Sequence, residues 1–349
     1  MKTPKLPTFI DDSLLSVRDL QTQFTTDDGT VRAVDGVSFD IHRGEVFGVV
    51  GESGSGKSIT AMSILGLVPS PPGKIVGGEV LWKGTDLVKA SPETLRAIRG
   101  KEIAMIFQDP MSALNPVHTV GRQIAEVVRI HEDATKAQAR VRAIEVLDMV
   151  GIPQPKRRVD DYPHEFSGGM RQRAMIAMAI ACEPDLLIAD EPTTALDVTV
   201  QAQVLDVLLE IKDRINSAIM LITHDLGVVA GVVDRLMVMY AGQSIEFGTV
   251  DEIFYKSRHP YTLGLLASVP RLDADDRELL RPIAGQPPSL LHRPTGCAFH
   301  PRCPHAVLPA PCSTEDPVLR VVDGVEHRSS CHFAETIVDV VPVTKEPVS

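Results

Sequence analysis

Eight consecutive residues, Gly51 to Ser58 (G-E-S-G-S-G-K-S), have the types and spacing that hold a chain of phosphates. They meet every fixed position of the pattern G-x-x-x-x-G-K-[ST]. Glycines let the main chain curl so that its N–H groups point at an anion, and a following helix adds the positive end of its dipole. The candidate cradle comprises Gly51, Ser53, Gly54, Ser55, Gly56, Lys57, Ser58 and Ile59. Lys57 would reach the β- and γ-phosphates, and the Ser58 hydroxyl would face Mg²⁺.

Phosphoryl hydrolysis also needs a metal-linked acid and a group that orients the attacking water. Asp190 ends the apolar run L-L-I-A, as an acid linked to Mg²⁺ should, and Glu191 follows it. Glu191 is placed to hold a water in line with the γ-phosphate. His224 ends another apolar run and can donate to that phosphate; Gln108 ends a third and can ligate the ion or sense the phosphate. With Ser58, Gln108 and Asp190 make up the expected Mg²⁺ set. Ser167, Gly168 and Gly169 open a further helix at Met170, and its N-terminus makes a second anion site. Phe24, upstream of the phosphate loop, offers an aromatic face to a base or is an ordinary strand-end aromatic.

These groups need strands that end together. Leu14–Phe24 and Val31–Ile41 alternate as antiparallel strands about Asp27-Asp28-Gly29. Buried strands are predicted at Glu45–Val50, Lys101–Phe107, Asp185–Asp190 and Ala218–Thr223, and a closing hairpin at Leu236–Tyr240 and Gln243–Phe247. Thr119–Val150 switches to helical spacing, with Val141, Ile144, Leu147 and Val150 on one apolar face. Strands alternating with helices give a mainly parallel α/β core, with its ligand at the C-terminal strand ends. The expected division is a nucleotide-binding domain over 1–258, with a helical subdomain at about 109–166, and an irregular Cys-containing extension over 259–349.

The 349 residues are 44% apolar with a formal net charge of −11, which argues against a nucleic-acid partner reached through a basic surface. The first residues lack the apolar stretch of a secretory signal, and no apolar run is long enough to span a bilayer. A cytoplasmic location is therefore expected. Four of the five cysteines, Cys297, Cys303, Cys312 and Cys331, crowd near one end in a C-x5-C-x8-C-x18-C pattern. They can hold a [4Fe–4S] cluster; zinc, with His300, His305 or His332 assisting, and free packing thiols are the alternatives. Cys182 reads as core.

Taken in order, these motifs resemble an ABC ATPase. Phe24, Gly51–Ser58, Gln108, F-S-G-G-M-R-Q at Phe166–Gln172, L-L-I-A-D-E at Leu186–Glu191, Ala195-Leu196-Asp197 and Thr223-His224-Asp225 carry the resemblance from Leu14 to about Gly248. It implies adenine stacking for Phe24 and a switch role for His224. It also implies that Ser167, Gly168, Gly169, Met170 and Asp197 act on the nucleotide of an opposing subunit. Met170 departs from the glutamine that many members carry. The stretches His259–Leu266 (H-P-Y-T-L-G-L-L), Gly285–Leu290 (G-Q-P-P-S-L) and Gly296–Pro304 (G-C-A-F-H-P-R-C-P) look like the dipeptide and oligopeptide importer branch, which has nickel importers as relatives. That branch implies a second ATPase subunit, homologous or identical, two membrane permeases and an extracytoplasmic binding protein. The permeases would hold the chain on the cytoplasmic face of the membrane. The rivals are an ABC ATPase of translation or DNA repair, a silent regulatory subunit and an exporter ATPase.

Overall fold

The structure is a computed structural model, and it describes residues 13–194, 196–269, 283–324 and 326–337. Strands β1 (Ser13–Thr26) and β2 (Gly29–His42) pair antiparallel across the Asp27-Asp28 turn, with Phe24 opposite Val31. Burial alternates over residues 20–23, whereas residues 14–17 and 39–41 are buried on both faces. After β3 (Val46–Val50) comes helix α1 (Lys57–Ile64). Strand β4 (Gly73–Trp82) then returns along the free edge of β1, followed by the short β5 (Thr85–Asp86). At the start of helix α2 (Pro92–Ile98) the Ser91 hydroxyl accepts from Thr94 N–H, and a proline stands in the first turn.

The second sheet holds the core. Strands β6 (Ile103–Ile106), β7 (Leu186–Asp190), β8 (Ala218–Thr223) and β9 (Arg235–Tyr240) join β3 in the parallel order β9-β3-β8-β7-β6. Every residue of β3, β7 and β8 is buried, because helices and the first sheet cover both faces. Strand β10 (Gln243–Thr249) turns back on β9 through Ala241 and Gly242, both at positive φ, as the expected hairpin requires. Phe39 of the first sheet stacks on Phe47 of the second with centroids 5.1 Å apart, which joins the two sheets through one core.

Between β6 and β7 the chain is helical: α3 (Pro110–Ala113), α4 (Val120–His131), α5 (Lys136–Met149) and α6 (Pro155–Arg158). Thr135 and Gln138 form a capping box at the start of α5. Of the face expected for this segment, Leu147 and Val150 are buried and Ile144 is half-buried, and Val141 alone departs. Val141 is 55% exposed, whereas Ala139, Ala143, Val146 and Leu147 face inward. Small alanines let α5 approach its neighbours closely, and that packing outweighs the larger valine. Helix α7 (Gly168–Ala179) leads into β7, and α8 (Val198–Ile215), capped by Asp197, leads into β8. Short helices α9 (Leu226–Val229), α10 (Val250–Lys256) and α11 (Pro260–Leu266) follow. No helix among the described residues is long and apolar enough to cross a membrane.

The Pro-rich extension carries more order than its sequence suggests. Strands β11 (Arg320–Asp323) and β12 (His327–Ser329) extend the main sheet, with β12 pairing with β10. The seam is anchored by Glu246, which is wholly buried. Its carboxylate receives Ser257 Oγ–H at 2.9 Å and the Arg258 N–H, and it faces His327 Nε2 at 3.0 Å. Glu246→Ala leaves those groups buried without an acceptor, so denaturant unfolding of the full chain should report a loss of about 3 kcal/mol. An unchanged unfolding midpoint would show that the seam carries no stability.

Candidate nucleotide site

The phosphate loop leaves the C-terminal end of β3, and two of its glycines are there for space. A Cβ on Gly51 (φ +155°) would lie 2.2 Å from the Met239 carbonyl oxygen. A Cβ on Gly56 (φ +103°) would lie 2.4 Å from the Ala33 carbonyl oxygen. The loop therefore presses its backbone against β2 and β9, where no side chain fits. Lys57 is buried, and its Nζ donates to the carbonyls of Gly51 at 2.7 Å and Glu52 at 3.0 Å. Burial pushes its ammonium below the usual lysine range, against the pull of Glu191, Asp190 and Glu52.

Asp190 ends β7 beside this loop. The Ser58 hydroxyl donates to its Oδ1 at 2.9 Å, and burial raises its carboxyl. A buried carboxylate held by one hydroxyl, next to a lysine, is a donor set that suits a hard cation. Ser55 Oγ is buried without a partner among the described residues. The cradle thus fits a Mg²⁺-bound phosphate chain.

Two expected groups, Gln108 and His224, converge on Glu191. Its backbone sits at φ +47°, and its N–H donates to Ile222 O on β8 at 2.9 Å. Its Oε2 accepts from Gln108 Nε2 at 3.0 Å and from Thr194 Oγ1 at 2.8 Å, and lies 3.3 Å from His224 Nδ1. Thr194 was missed by sequence reasoning; its only signal was its position three residues after Glu191. A cleft of about 900 Å³ opens over these groups, lined by Ser53, Gly54, Gly56, Lys57, Ser58, Ile59, Gln108, Glu191 and His224. Ala33 and Glu52 also line it, as do Leu265, Ser268, Ile283, Pro287 and Leu290 of the extension. Nothing local in the sequence pointed to that wall.

Other expected residues lie elsewhere. Phe24 does not line the cleft; its ring lies against the bare face of Gly73, its cross-strand partner on β4. Ser167 and Gly168 are exposed at the start of α7, where Ser167 Oγ accepts from Met170 N–H at 3.3 Å. Gly169 and Met170, half-buried in that first turn, are likewise absent from the cleft wall. Exposed Asp197 accepts from Val200 N–H at 3.0 Å, and Ala195 lies outside the described residues.

The four clustered cysteines come together. Cys297, Cys303, Cys312 and Cys331 line one small apolar pocket with His259, His300, His305 and His332, and all are free thiols. Burial pushes the Cys303 thiol up to about 11 and that of Cys331 up to about 12, and neighbouring thiols add to both. Yet among the described residues no three His, Cys, Asp or Glu side chains are drawn together as a metal-ligand set. His300 Nδ1 and His332 Nε2 each face a carbonyl oxygen at 2.9 Å instead. Cys182 is buried in the core, its thiol raised to about 11.

Residues 34–194 match the ABC transporter family, and residues 245–309 match the oligopeptide/dipeptide transporter C-terminal region. The chain is 54% identical to the oligopeptide transport ATP-binding protein OppD of Bacillus subtilis over 310 residues, covering 89% of this chain and 86% of the relative. It is 55% identical to the dipeptide transport ATP-binding protein DppD of the same organism over 297 residues, covering 85% and 88%. The chain belongs to the ATP-binding subunits of ABC transporters. The fold of this ABC ATPase agrees with that of the ATP-binding cassette MJ0796, whose solved dimer holds ADP and Pi after hydrolysis. There the TM-score is 0.61 at 25% identity, covering 68% of this chain and 98% of that one. As an ABC ATPase it couples ATP hydrolysis to transport. Gly51→Ala should abolish ATP binding in a fluorescent-nucleotide titration while the fold persists, because the methyl group has no room beside Met239. Retained affinity would mean that the loop does not form the site.

Proposed function

We propose that this ABC ATPase powers the import of dipeptides or oligopeptides through two permeases, from the cytoplasmic face of the membrane. The observation that carries the reading is the convergence of Gln108, Thr194 and His224 on Glu191, beside the Lys57–Ser58–Asp190 cradle. Backbone N–H groups of Gly54 and Gly56, with Lys57, would bind the β- and γ-phosphates of ATP. Ser58, Asp190 and Gln108 would hold Mg²⁺, which when bound neutralises charge on those phosphates. Glu191 orients the attacking water and takes its proton. His224 hydrogen-bonds the γ-phosphate, and loss of that phosphate frees Glu191 to re-pair with Gln108. Phe24 would have to turn from Gly73 to stack on adenine.

Ser167, Gly168, Gly169, Met170 and Asp197 serve the facing subunit's nucleotide. What supports this is the exposure of Ser167, Gly168 and Asp197 and the absence of all five from this chain's own cleft. The helical segment after Gln108 receives the permeases; Met111 and Val117 expose 51% and 71% of their surface there. An extracytoplasmic binding protein would supply the cargo, and the second ATPase is a homologous chain or a second copy. The four thiols are assigned to a [4Fe–4S] cluster, with zinc the rival, because four sulfurs from separate segments share one pocket.

In the reconstituted complex, peptides should stimulate ATPase activity; stimulation by Ni²⁺ alone would move the reading to a nickel importer. Glu191→Gln should retain ATP binding and lose turnover by a factor of about 10³, and wild-type turnover in that variant would remove Glu191 from its role. Anaerobically purified chain should contain iron and sulfide. Zinc would decide for the rival, and the absence of both metals would leave four packing thiols.

A further inference from the structure

Glu52 is the first variable residue of the phosphate loop, and the extension grips it. Arg302, with only 5% of its side chain exposed, makes a two-pronged ion pair to its carboxylate at 2.6 and 2.9 Å. The same guanidinium lies 5.9 Å from the Tyr240 ring centroid and donates to the Tyr240 hydroxyl at 3.3 Å. The Glu52 N–H donates to the hydroxyl oxygen of Tyr261, a fully buried side chain of α11, at 2.8 Å. The third connection is Lys57 Nζ on the Glu52 carbonyl. One loop residue is thus held at side chain, N–H and C=O, and two of the three holds come from beyond Pro260.

Glu52 also lines the cleft, so an unpaired carboxylate there would face the incoming triphosphate. We infer that Arg302 and Tyr261 are positioning residues for ATP: they brace the phosphate loop through Glu52, and Arg302 cancels a negative charge at the mouth of the site. The extension is therefore part of the nucleotide site. This inference rests on the ATPase reading above. The brace acts on the loop before chemistry begins, so its loss weakens ground state and transition state alike. That pattern raises KM and spares kcat.

The test uses the full chain in its reconstituted complex. Arg302→Ala should raise the KM for ATP about tenfold, with kcat within about twofold. Arg302→Lys keeps the charge without the fork, so it should lie between the two. Adding Glu52→Gln to Arg302→Ala removes the stranded charge and should recover most of the lost affinity, whereas a purely structural role for Arg302 would leave the double variant no better than the single. A wild-type KM in Arg302→Ala overturns the inference, and equal KM values in the single and double variants overturn the charge-cancelling role of Arg302. If Arg302→Ala fails to fold, Arg302→Lys and Glu52→Gln decide by the same KM and kcat readings. Hydrolysis by the wild-type complex in the same assay separates failure of the brace from failure of the ATPase reading.

Discussion

Parallel pairing of β3, β8, β7 and β6 brings four C-terminal strand ends to one edge, and the chemistry depends on that register. The phosphate loop leaves β3, Asp190 ends β7 with Glu191 just after it, His224 follows β8, and Gln108 follows β6 two residues on. Parallel strands need long crossovers, so these residues are scattered through the chain and meet only at the edge. The buried apolar runs that set the register also exclude water behind the site. That burial lowers the pKa of Lys57 and raises that of Asp190.

Charge balance in the cleft follows from that burial. Lys57 is cationic among Asp190, Glu191 and Glu52, and each carboxylate has its own restraint. Asp190 takes the Ser58 hydroxyl, Glu191 takes Gln108 and Thr194, and Glu52 takes Arg302. Glu191 differs from the others because its partners belong to three separate loops and sit on one oxygen. A single carboxylate reporting on three loops is suited to linking nucleotide state to loop position.

The extension is integrated rather than appended. Strand β12 continues the main sheet, Glu246 anchors that seam, and the aromatic rings of Tyr240, Tyr261 and Phe299 pack together behind the phosphate loop. The thiol pocket adjoins the same ring cluster through Phe299, and Cys303 follows Arg302 directly in the chain.

Local stereochemistry made the motifs legible. Gly51 and Gly56 stand where only glycine clears a carbonyl, and Asp190 and His224 stand where an apolar run stops, so residue type and spacing sufficed. By itself the sequence determined the strand–loop–helix unit, the acids at the strand ends, the β9–β10 turn and the capped helix starts. Each of these rests on interactions spanning a few residues. Tertiary structure decided the rest: that α5 buries its alanines and exposes Val141, that the ring of Phe24 lies on Gly73, and that Pro287 and Leu290 wall the cleft. Glu52 and Arg302 stand 250 residues apart, and no local pattern encodes their meeting. The physical reason is common to all of these: which face is buried depends on the shape of the opposing surface, and that surface exists only once the chain has folded.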